Sequence, residues 1–207
     1  MALQPSLKSL IIAGSPGSPH TLELFLDYVC PFSRKMTLVV NSVLKPLFDE
    51  GGKYSGKVKV IFRNQVQPWH ASSTFVHEAG IAVARAAPEK FWAFSVLLME
   101  RQEEFYDIPT STMTPLQIRE KLAEVASQAG LTSVQVKAFS DALALKGSPN
   151  GGVSVTDELK YTIKISRQNG IHVSPTVLWD GLVANEISSS WGSKEWADFL
   201  ANKVIAQ

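Results

Sequence analysis

The feature that most constrains the fold is a block of helix-patterned sequence, from about residue 72 to residue 169, set between two segments that carry strand signals. Strands on both sides of such a block imply an α/β core interrupted by helices. The expected organisation is one unit over residues 1–207, with a core of about 9–70 and 171–207 and a helical insertion of about 72–169. A chain of 207 residues can bury a substantial core without disulfides or a structural metal.

The strand signals come first. Ser9 to Ala13 reads as a short edge strand, and the Gly14–Pro19 stretch as a turn. Leu22, Leu24 and Leu26 alternate with Glu23, Phe25 and Asp27, a period of two with an incompletely polar second face. Tyr28-Val29-Cys30-Pro31 turns into a helix over Phe32 to about Phe48, with Pro46 expected to bend or end it and Gly51-Gly52 to stop it. Val58, Val60 and Phe62 mark the next strand, so strand, helix and strand form a parallel unit.

Within the block, Thr114-Pro115-Leu116-Gln117 is a capping box that opens a helix ending at Gly130. Thr132–Gln135 opens the next in the same way, with Gly147 expected to close it. A further helix spans about Thr156 to Asn169 and stops at Gly170. Beyond it, Ile171–Trp179 is extended chain interrupted by Pro175, and Asp180-Gly181 predicts a type I′ hairpin into Leu182-Val183-Ala184. Ser193 is the expected cap of a last helix, Lys194 to about Val204. The apolar stripe Phe91, Trp92, Phe94, Leu97 and Leu98, and the tryptophans Trp179, Trp191 and Trp196, read as packing residues.

Net charge is +1 with basic residues scattered, which argues against a nucleic-acid or membrane-surface partner. The apolar run Leu10–Ala13 is shorter than a signal-peptide core and follows no basic segment. No stretch approaches the length of a membrane span. One cysteine excludes an internal disulfide and fits a reducing compartment. A cytoplasmic protein is therefore expected, although a secreted protein without disulfides is compatible with the same counts.

Chemistry concentrates at Cys30-Pro31-Phe32-Ser33. A cysteine just before a first helical turn faces unpaired backbone N–H groups and the positive end of the helix dipole, both of which favour thiolate over thiol. Arg34 and Lys35 add nearby positive charge, and Ser33 stands where its hydroxyl can donate to the sulfur. The plainer reading is a buried, inert cysteine. His20, His70, His77 and His172 show no metal-ligand spacing, so no metal is expected. His70 and His77 are read as surface or capping residues, with proton transfer near Cys30 as the sharper alternative.

The segment Glu23–Phe32 resembles the active-site segment of DsbA-like thioredoxin-fold proteins, which carry Cys-Pro-x-Cys at the helix start. Gly170–Thr176 resembles their helix-to-strand junction, and Arg63–His70 their loop after the second central strand. The resemblance extends over nearly the whole chain and implies a thioredoxin-like α/β fold with a helical insertion. It implies Cys30 as nucleophile, with Ser33 beside it as the second catalytic position. It further implies Pro175 as a cis-proline, Ser174 as the residue pairing with an extended partner, and Pro31 and Phe32 as partner contacts. Ser33 departs from the pattern by standing where the second cysteine belongs. Serine cannot resolve a mixed disulfide, so an outside thiol must. The function implied is monothiol thiol–disulfide exchange on protein disulfides or small thiols, with no tightly bound cofactor and glutathione as co-substrate. Two alternatives stay open: a glutathione-dependent transferase or isomerase of kappa type, using Ser33, and a redox-inactive binding module.

Overall fold

A computed structural model describes residues 3–204. Its single sheet has five strands, β1 (Ile11–Ala13), β2 (His20–Leu26), β3 (Val58–Asn64), β4 (Thr176–Trp179) and β5 (Leu182–Val183), in the order β1-β3-β2-β4-β5. Only β2 and β3 run parallel, with Leu22 opposite Val60 and Leu26 opposite Asn64; the other pairings are antiparallel. The short first strand takes the edge, as its length and position suggested, while Ser9 and Leu10 belong to a 3-10 turn, Pro5–Leu10.

The alternation in β2 does not separate a wet face from a dry one. Leu22, Leu24 and Leu26 join Val58, Val60 and Phe62 in the main core, and each fully buried leucine contributes roughly 2 kcal/mol. Phe25 and Leu178, on the other face, form a second cluster with Ile171. Glu23 is buried on that same face and accepts a 2.7 Å hydrogen bond from Arg63 Nε. Sheets covered on both faces lose the polar alternation.

Nine α-helical segments surround the sheet among the described residues: α1 (Pro31–Val39), α2 (Lys45–Phe48), α3 (Ser73–Ala86), α4 (Phe91–Glu100), α5 (Asp107–Thr110), α6 (Pro115–Gln128), α7 (Ser133–Ala142), α8 (Thr156–Gln168) and α9 (Ser193–Lys203). Phe91, Phe94 and Leu98 of α4 are buried, and Trp179, Trp191, Trp196 and Phe199 make edge-to-face contacts near the end of the chain. The last helix of the block, α8, packs on β3, and its Ile165 touches the Phe25 cluster.

Three local expectations need correcting, at the ends of α7 and α9 and at His77. The first long helix runs to Phe48 as expected, and a π turn just before Pro46, Val40–Leu44, sends the Lys45 N–H to the Val40 carbonyl. A widened turn accommodates a residue that lacks an N–H and clashes with the carbonyl four back. Helix α7 ends at Ala142, well before Gly147. The last helix is capped at Gly192, whose N–H donates to Glu195 Oε2, so Ser193 is its first residue and not its cap. His77, read as surface or capping, is fully buried on α3.

The two capping boxes, at Thr114 and Thr132, form as expected. In the hairpin, Asp180 and Gly181 take φ of 49° and 86°, the two left-handed residues that a type I′ turn requires. Close packing appears at Gly80 of α3, where a Cβ would lie 2.7 Å from the Tyr28 hydroxyl.

Candidate active site

Cys30 is the N-cap of α1, with extended backbone (φ −91°, ψ 120°), and its carbonyl accepts the first helical bond from the Arg34 N–H at 3.1 Å. Pro31 follows at the first helical position, where its missing N–H costs nothing. The sulfur is partly exposed, and its thiol donates to the Ser174 carbonyl at 3.4 Å. The Ser174–Pro175 bond is cis. Pairing of β4 with β2, with Thr176 opposite Phe25, brings this junction beside a residue 144 positions earlier. Gln67 locks it by donating from Nε2 to Ser174 Oγ at 2.8 Å.

Beneath the turn lies a buried polar network. One Asp27 carboxylate oxygen accepts the Val29 N–H at 2.7 Å; the other accepts the Gln67 N–H at 2.7 Å and the Ser73 hydroxyl at 2.6 Å. His77 Nε2 lies 3.6 Å from that second oxygen, and His77 Nδ1 meets the Asn64 amide at 2.9 Å. Burial raises the Asp27 pKa, but the adjacent His77, the Ser73 hydroxyl and the Val29 N–H outweigh it and hold the carboxyl below its ordinary value. Tyr28 stacks on Phe62 and meets the His77 ring at a tilt, and its hydroxyl pairs with Ser95. Burial, opposed by the Ser95 hydrogen bond and aided by the Asp27 charge, drives that hydroxyl far above the usual phenol range.

Ser33 belongs to this network and not to the sulfur. It is fully buried, and its hydroxyl oxygen accepts the Asp27 N–H at 3.2 Å. No hydrogen bond joins it to Cys30 among the described residues. The expectation of a Ser33 donor to the sulfur is corrected accordingly: helical side chains tilt toward the N-terminus, which here aims Ser33 at the end of β2. Arg34 turns to Glu103 at 3.1 Å, and Lys35 sits over the Phe32 ring at 5.5 Å.

The helical block reaches into the site. Gln102 donates from Nε2 to the Tyr28 and Cys30 carbonyls at 2.9 and 3.3 Å and accepts from the Tyr106 hydroxyl at 2.6 Å. Burial first, then the Glu103 carboxylate and the Cys30 sulfur, push the Tyr106 hydroxyl upward against Arg34. Gln102 carries no signal in the sequence, because it acts through carbonyls 72 and 74 residues away, and Tyr106 joins the site through Gln102.

Around the sulfur runs a groove of about 290 Å³ lined by Cys30, Pro31, Phe32, Trp69, His70 and Val173, with Gln67 and Ser174 at its base. Phe32, Trp69 and Val173 are each at least half exposed. His70 contributes its ring, and its Nδ1 is 2.9 Å from Asp107 Oδ2. Of the other histidines, His20 pairs with Asp180 and His172 with the Gly170 carbonyl. The described residues hold no cluster of three metal-ligating side chains and no helix long and apolar enough to cross a membrane.

The family model described as thioredoxin matches residues 7–198. No curated protein matches the sequence. Among solved structures, a candidate protein-disulfide isomerase from Pseudomonas syringae is 27% identical, with a TM-score of 0.70 over 92% of this chain and 97% of that one. Oxidised BdbD from Bacillus subtilis is 17% identical, with a TM-score of 0.65 over 97% and 96%. MdbA, a thiol-disulfide oxidoreductase from Corynebacterium matruchotii, is 21% identical, with a TM-score of 0.61 over 87% and 84%.

Proposed function

The chain belongs to the thioredoxin family, in the form whose core is interrupted by helices, and from that premise we propose that it is a thiol–disulfide oxidoreductase working through one cysteine. The placement of the Cys30 sulfur carries this reading: it sits at the head of α1, partly exposed, 3.4 Å from the Ser174 carbonyl before a cis-proline. The sulfur attacks a disulfide R–S–S–R′, forms Cys30–S–S–R and releases R′–S⁻. Ser33 has no sulfur with which to displace R. An external thiol such as glutathione then attacks the mixed disulfide, forms a new disulfide with R and releases the Cys30 thiolate. Pro31, Phe32 and Ser174–Pro175 contact the partner, which is a protein disulfide or a small thiol. A reducing compartment would supply that thiol.

Oxidised glutathione and intact-mass detection test this. Wild type should gain one glutathione, lose it to reduced glutathione, and gain none as Cys30→Ala. Ser33→Cys should close an internal disulfide, seen as loss of two hydrogens, and expel glutathione without an added thiol. A wild type that takes no glutathione would sink the proposal.

The exposed Phe32, Trp69 and Val173 favour one second reading, a groove that binds an extended partner chain without redox chemistry. An unreactive Cys30 in a protein that still binds unfolded peptides would select it. The kappa-type alternative draws no support from Ser33, whose oxygen is sealed beneath the turn on the Asp27 N–H.

A further inference from the structure

We infer that His70, oriented by Asp107, is the general base that takes the proton from the external thiol as it resolves the Cys30 mixed disulfide; this rests on the monothiol reading above. Among the described residues lining the groove with Cys30, His70 alone carries a basic nitrogen. Asp107 Oδ2 accepts from Nδ1 at 2.9 Å, and a carboxylate can only accept, so the Nδ1 proton is assigned and the neutral ring keeps its lone pair on Nε2. Nε2 has no hydrogen-bond partner among the described residues. The His70 side chain is one-third exposed.

Its position suits a thiol arriving from solvent. His70 borders the Cys30 groove and two adjoining hollows, one of about 340 Å³ beside Val29 and Tyr106, the other of about 520 Å³ beside Arg167 and His172. His70 is the one described residue that lines all three, so a thiol held in either hollow lies against the same side chain that borders the Cys30 groove. The alternatives fail on access or chemistry. His77 is fully buried under Tyr28, Ser33 is sealed beneath the turn, and the Tyr106 hydroxyl is raised and already donates to Gln102.

The S–H proton of the incoming thiol passes to His70 Nε2 while its sulfur attacks the partner sulfur of Cys30–S–S–R. A new S–S bond forms between incoming thiol and R, and the Cys30–S bond breaks with its electron pair on Cys30. The incoming sulfur is oxidised and Cys30 reduced. The imidazolium then returns its proton to the Cys30 thiolate or to water. Positioned general bases contribute about a hundredfold or more in many enzymes; a thiol, already acidic near neutrality, needs less help.

The test uses full-length protein carrying glutathione on Cys30, mixed with reduced glutathione and followed by intact mass. His70→Ala should release glutathione about tenfold more slowly at neutral pH, and free imidazole should restore much of the rate. Asp107→Ala should show a smaller loss in the same direction. Alkylation of Cys30 by iodoacetamide expels iodide and needs no proton transfer from a second thiol, so His70→Ala should alter it less than twofold. Release by His70→Ala within twofold of wild type would overturn the inference. So would an equal slowing of alkylation, which would make His70 a group that acts on Cys30 itself. A wild type that never accepts glutathione would instead overturn the exchange reading beneath it.

Discussion

The molecule contains two histidine–aspartate pairs near Cys30, built from the same side chains to opposite ends. His77 and Asp27 are both fully buried, 3.6 Å apart, with the carboxylate further held by two backbone N–H groups and the Ser73 hydroxyl. His70 and Asp107 approach more closely, 2.9 Å, yet both are substantially exposed. The shorter contact is the lesser contributor to stability, because water competes for exposed charges while nothing replaces a buried carboxylate's donors. What the buried pair lacks is access. One pair holds the turn that presents Cys30; the other stands where an incoming thiol can reach it.

Breaking the buried pair should give the largest effect. Asp27→Ala leaves the Val29 N–H unpaired in a sealed site, and the Gln67 N–H with only the Ser73 hydroxyl oxygen at 3.1 Å, and should lower stability by about 3–5 kcal/mol, read as a drop in the urea midpoint. A loss under about 1 kcal/mol would mean that water or a shifted side chain replaces the carboxylate.

Acid sharpens the comparison. A carboxyl held below its unfolded value contributes stability that is complete above about pH 4 and lost as pH falls through the lower folded value. The stability gap between wild type and Asp27→Asn should therefore stay constant above about pH 5 and narrow below about pH 4. Taking the difference removes other acids, among them Glu104, which Arg101 holds at about 2 against burial and with help from Lys121. A gap that widens in acid would reverse the sign assigned to Asp27.

The smallest stability effect belongs to the exposed pair. Asp107→Asn should cost less than about 1 kcal/mol while slowing glutathione release several-fold. Equal stability losses at Asp27 and Asp107 would erase the distinction drawn between the two pairs.

Much of the fold was legible because its signals are local. The Leu22–Leu24–Leu26 alternation, the capping boxes at Thr114 and Thr132 and the Asp180-Gly181 turn each depend on residues a few positions apart, and each forms. Ser193 misleads for the same reason: a cap at Ser193 or at Gly192 is a choice between nearly equal local solutions. Cys30 stands out by its place at a helix start, Ser174 and Pro175 only through motif resemblance, and strand pairing sets the three together. Ser33 was given the wrong partner, since its orientation depends on where β2 ends above it.

The sequence by itself determined that the chain carries one thiol, placed at a helix start with no second sulfur, because composition and local helix signals need no distant contact. Tertiary structure alone decided which groups surround that thiol. His70, on the loop after β3, lines the Cys30 groove, while Gln102 reaches the Cys30 carbonyl and Asp107 reaches His70 from the helical insertion, at sequence distances that leave no periodic signal.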